Sequence, residues 1–155
     1  MTEAVVAGAL AVAVLNALPG LLGGWRWYRC EATDQRSASA FWLSLRVGQG
    51  SAVAFALAVG VLALAGSYSS ERLFYLYALL PLAVAFVAEQ LRVISAQTIL
   101  DRRELADAQA VGELPEAEQR AVVAEIVRRE LGVMAISALV VVFLALRAAG
   151  TAHGF

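Results

Sequence analysis

Residues 73–103 constrain this chain more than any other stretch. They open on Leu73-Phe74-Tyr75-Leu76, stay apolar through Ala88, meet Glu89, Gln90 and Arg92 without a helix breaker, and read on as helix to Arg103. Residues 73–88 carry no charge, yet they fall short of the roughly 20 residues that cross a hydrocarbon core. Glu89 is therefore expected at, or slightly inside, the inner boundary of a membrane. Arg92 can snorkel outward from there on its long stem.

The rest of the chain is written for the same solvent. Its residues are 61% hydrophobic, against roughly 45–50% in soluble domains, and its mean hydropathy is +0.72. The expected fold is all-α: a four-transmembrane-helix bundle in one integral membrane domain, with spans at about 4–22, 41–65, 73–100 and 117–147. The last two spans are expected to extend into the cytoplasm as a helical hairpin.

The first span is not read as a cleaved signal, because Glu3 and no positive charge precede it. Asn16 and Pro19 interrupt its inner half; the proline is expected to kink or end the helix. Trp25, Trp27 and Tyr28, with Phe41 and Trp42 across the loop, form an expected headgroup belt. Gly48, Ala52, Ala56 and Gly60 recur every fourth residue of span two, and Ala9, Ala13 and Ala17 do so in span one. Smooth stripes of this kind let backbones approach in lipid, so these two spans are expected to pack together. Residues 66–71 read as a tight outer turn, with Tyr68, Phe74, Tyr75 and Tyr77 as the outer belt. Gly112-Glu113-Leu114-Pro115 should break the third helix. Pro115 suits the first position of the next one, whose Glu116 and Glu118 complement its positive end.

Every basic residue except His153 is Arg; there is no Lys. All the arginines but Arg72 and Arg147 fall in or beside loops one and three. Acidic residues count for little in this asymmetry, so both termini are expected outside and the hairpin in the cytoplasm. Composition fits a GC-rich bacterial genome, which makes a bacterial inner membrane the expected location.

Cys30 and His153 are the only residues of their kinds, so His-dependent haem, zinc and di-iron sites are not expected, nor any cofactor. Residues 113–123 sound like the opening of a sigma-factor helix-turn-helix. That motif needs a recognition helix next, and here a membrane span follows, so no nucleic-acid partner is expected.

Three spans bring charge to one depth: Arg46 and Gln49 from the second, Glu89 and Arg92 from the third, Glu125, Arg128, Arg129 and Glu130 from the fourth. Ionisable groups at membrane depth are costly and normally pair or face water. Glu89, Arg92, Arg46, Gln49, Asn16, Glu130 and Arg129 are the candidate ion or polar-ligand residues. They form either a cytoplasm-facing vestibule or an ion-pair lattice that glues helix ends.

Three functions from different classes follow. The chain can be a homo-oligomeric channel or transporter protomer, because four spans with so few polar groups enclose little pore alone. It can be an accessory or scaffolding protein that docks a cytoplasmic or membrane partner through the hairpin. It can be a membrane enzyme acting on a lipid or quinone, for which a Glu-Arg pair offers acid-base chemistry but no nucleophile or metal constellation accompanies it. Membrane lipid is a partner on every reading.

Overall fold

A computed structural model describes residues 1–29 and 35–153, without the side chains of 35–38. Cys30, Glu31 and the side chain of Arg36 lie outside the described residues. The described chain is helical, in the order α1 (Thr2–Arg29), α2 (Gln35–Leu64), α3 (Arg72–Arg102), α4 (Ala108–Gly112) and α5 (Glu116–Thr151). Four of these, all but α4, are long and apolar enough to cross a membrane. By length and composition this is a multi-pass membrane protein.

Helix α5 is the hub, packing along both α1 and α3. Helix α2 lies on α1 and meets α3 much less extensively. Spans one and two do pack together, but the broadest partner of α1 is α5. Close approach there comes from glycines: a Cβ at Gly20 would stand 2.6 Å from Leu139 Cδ2, and one at Gly23 would stand 2.5 Å from Phe41 Cε2 and 2.8 Å from Ala135 Cβ. Pro19 does not end α1, which continues to Arg29. The two glycines that follow it set the seam against α5.

The core is layered along the bundle. Val5, Ala9, Val59, Phe74, Ala78 and Ala148 fill one end. Val12, Ala13, Ala52, Val141 and Ala145 fill the middle. Phe41, Leu45, Ala88, Leu131, Met134 and Ala138 follow. Phe41 and Phe74, expected in the headgroup belts, are core residues, 1% and 0% exposed. Phenylalanine has no polar edge to keep wet, and these two rings pack edge-on against their neighbours Trp42 and Tyr75.

The turn between α2 and α3 is closed by Gly66 at φ +83. The backbone carbonyl of His153 accepts from Ser70 N at 3.0 Å and from the hydroxyls of Ser69 and Ser70 at 3.0 and 3.1 Å. This ties the turn to the end of α5.

Helix α3 ends at Arg102, beside the expected Arg103 and well before the break expected at Gly112. Glu104 takes φ 57, its N–H donates to Asp101 O, and Leu105 N donates to Leu100 O at 3.0 Å. That is a Schellman stop with Glu where Gly is usual. Asp107 then caps α4 by accepting from Ala110 N at 2.9 Å. Pro115 stands just before α5 rather than in its first turn, at ψ 144. Gln119 reaches back to the carbonyls of Leu114 and Gly112. A fourth small core, Ile99, Leu100 and Val122 with Leu105, Val111, Leu114 and Ile126, holds the ends of α3 and α5 together through α4.

Candidate functional site

Glu89 is the node of the charged level. Its Oε1 accepts from Arg46 Nη1 at 2.6 Å and from Gln49 Nε2 at 3.3 Å. Arg46 Nη1 also donates to Gln49 Oε1 at 2.6 Å. One turn along α3, Arg92 Nε lies 3.1 Å from Glu89 Oε2. That Nε has no hydrogen bond of acceptable angle, so the contact is coulombic. The Arg92 guanidinium sits 5.3 Å from the Trp42 ring centroid, within cation–π range. Glu130 enters from α5 and feels the charges of Arg92 and Glu89.

Two acids thus face two guanidiniums, with Gln49 bridging, and their formal charges cancel. The group also joins α2 to α3, whose remaining contact is slight. It is not sealed: the side chains of Glu89 and Arg46 are 27% and 52% exposed. Arg46 and Gln49 occupy Glu89 Oε1, while Oε2 faces Arg92 without a hydrogen bond, so a proton or cation at Glu89 competes with two guanidiniums for one carboxylate.

Asn16 stands apart. It is 1% exposed, and its Nδ2 donates to Val12 O at 2.9 Å and Gly48 O at 3.1 Å. One amide hydrogen joins α1 to α2 through Gly48, and the other returns to the backbone of α1 at Val12.

Arg129 stands apart as well. With Arg102 and Arg128 it lines a separate recess of about 240 Å³, completed by Glu125, Ile99 and Trp27. Glu125 is already paired there: Arg103 Nη2 and Nε donate to its Oε2 at 2.7 and 3.2 Å. The Arg128 guanidinium sits 5.5 Å from the Trp27 centroid. Trp27 and Arg102 were not among the candidate site residues. Their meeting depends on α1 packing against α5, which no pattern in either segment specifies.

Other features carry less chemistry. Two larger recesses, about 380 and 500 Å³, are lined almost wholly by Ala, Val, Leu and other apolar side chains. Among the described residues no three His, Cys, Asp or Glu side chains gather as a metal site. Neither protein-family models, nor curated proteins, nor solved structures give a match to this chain.

Proposed function

We propose that this is an accessory membrane protein that docks a partner with the joined ends of α3 and α5. The observation that carries the reading is the separate core of Ile99, Leu100 and Val122 beyond the charged level. At 36 residues and 1.5 Å per residue, α5 is about 54 Å long, while the hydrocarbon core is about 30 Å. The excess is a folded projection rather than a loop. It bears a mixed surface: the Glu116–Arg120 pair and exposed Val123 on α5, with Leu91 and Ile94 exposed nearer the membrane on α3. The arginine asymmetry favours the cytoplasmic side of a bacterial inner membrane for this end.

A homo-oligomeric transport protomer is the second reading. It is favoured by the partial exposure of Glu89 and Arg46, which an assembly could turn toward a shared path. Against it stand the paired state of Glu89 and the packed layers of Phe41, Leu45, Met134, Val12 and Ala13.

One set of experiments separates the two. A photo-crosslinker at Val123 should capture a discrete protein in native membranes, and the same probe at Ser70 should not. Equal patterns at both positions would sink the docking reading. Proteoliposomes of the parent protein should show no ion or proton flux above empty vesicles. A flux abolished by Glu89→Gln would establish transport instead.

A further inference from the structure

The recess of Arg102, Arg128 and Arg129 differs in kind from the Glu89 group. Around Glu89 the charges cancel. Here four arginines, counting Arg103, face one glutamate, and that glutamate is already held by Arg103. The only other acid on the last turn of α3, Asp101, accepts from Gln97 on its own helix. Among the described residues, Arg102, Arg128 and Arg129 form no salt bridge, so three guanidiniums remain uncompensated around one recess.

The recess has a second arm. Trp27 forms a wall of the cationic recess and also of an apolar one of about 120 Å³, whose other walls are Gly24, Gly132, Ala135, Ile136 and Leu139. These residues run along the α1–α5 seam, away from the charged end and into the two candidate spans. Gly132 keeps that arm open: a Cβ there would stand 3.0 Å from Trp27 Nε1. Cationic head and apolar tail therefore share one tryptophan at the level where amphipathic rings settle.

We infer that this paired recess binds one anionic phospholipid, its phosphate on Arg102, Arg128 and Arg129 and an acyl chain along Gly24, Gly132 and Leu139. Guanidiniums suit the phosphate because their planar forks donate to two oxygens at once. A free phosphate would use the cationic arm alone and leave the apolar arm without a role. The inference rests on membrane residence and is independent of whether a protein docks on the α3–α5 end.

The test uses the full chain in detergent with equimolar phosphatidylglycerol and phosphatidylcholine, read by native mass spectrometry. The parent should retain one phosphatidylglycerol in preference to phosphatidylcholine. In R102Q/R128Q/R129Q that preference should fall on the order of a hundredfold, since each juxtamembrane arginine contributes about fivefold toward an anionic lipid. R72Q/R147Q, at the opposite end, should keep it. Gly24→Leu fills the apolar arm at a position where a Cβ meets no atom within 4 Å; it should weaken lipid retention and leave binding of inorganic phosphate unchanged. An unchanged preference in the triple variant, or no preference in the parent, overturns the site. The three single variants, all at exposed positions, serve if the triple variant does not fold. Equal thermal protection by inorganic phosphate and by phosphatidylglycerol, with no response to Gly24→Leu, overturns the lipid and assigns the recess to a free phosphate.

Discussion

Gly48 sets how closely α2 can lie on α1. A Cβ at that position would stand 2.8 Å from Asn16 Oδ1 and 3.2 Å from Leu15 O. The second of these atoms is backbone and cannot retreat without moving α1. Gly48→Ala should therefore destabilise the bundle by about 1–3 kcal/mol, the usual cost of overpacking. Gly60→Ala, where nothing lies within 4 Å, should be neutral or stabilise by up to about 1 kcal/mol through helix propensity. The midpoints of SDS titrations in mixed micelles compare the two, and equal shifts would remove the argument. The four-residue stripe containing both glycines was legible in the sequence, but its unequal use was not. A step of four residues overshoots a turn by roughly 40°, so three steps carry Gly60 about 120° around from Gly48. Val59, 2% exposed, takes the inward place at that level. The belt aromatics show a similar gap between pattern and contact. Trp25, Trp27, Trp42 and Tyr77 each carry an arginine guanidinium over the ring, from Arg29, Arg128, Arg92 and Arg147. The Arg29 pair lies within one turn of α1 and could be read from spacing. The other three join different helices, far apart in sequence, which only the fold brings together.

At the scale of elements, the four spans were legible because each is a long apolar run, and their ends were less so. Helix α3 stops at a site with no Gly or Pro. Its stop lies in hydrogen bonds from Glu104 and Leu105 and in Leu105 folding back into the small core around Leu100. A left-handed residue with a side chain costs about 1–2 kcal/mol relative to glycine in that conformation. Part of this is offset by the greater freedom glycine gives the unfolded chain. Glu104→Gly should thus stabilise the α3–α4 junction by about 0.5–1 kcal/mol. Slower amide exchange at Leu105 and neighbouring residues would register it, and faster exchange there would contradict the left-handed stop. The sequence carries helix to Arg103, beside the observed end, but Gly112 and Pro115 mark a break more visibly than the carbonyl–amide pairing that makes the stop. The charged residues of the Glu89 group were legible as a set for the same compositional reason. That α5 pairs with α1, so that Arg128 and Arg129 share a recess with Trp27, was not, since apolar helix faces rich in Ala and Gly admit several pairings.

At the scale of the molecule, two polar groupings share one end of a bundle whose other layers are apolar. The neutral one, around Glu89, ties α2 to α3 and brings in α5 through Glu130. The cationic one, around Arg102, lies where α1, α3 and α5 meet. Both depend on which leaflet that end occupies. The arginine distribution predicts which: all but Arg72 and Arg147 lie in the loops joining α1 to α2 and α3 to α5 or in the helix halves nearer to them. Positive charge near span ends is retained on the cytoplasmic side, and acidic residues weigh little in that balance. In a Cys30→Ser background, a cysteine at Glu118, on the first turn of α5, should react with a membrane-impermeant maleimide only after the cells are opened. One at Ser70, in the turn between α2 and α3, should react in intact cells. The reverse pattern would place the cationic recess in the outer leaflet. A partner and a lipid would then have to be sought on the other side of the membrane, with no change to the packing of the helices. Labelling of both positions in intact cells would mean that α3 does not cross the membrane, and the expectation that Glu89 lies near its inner boundary would go with it.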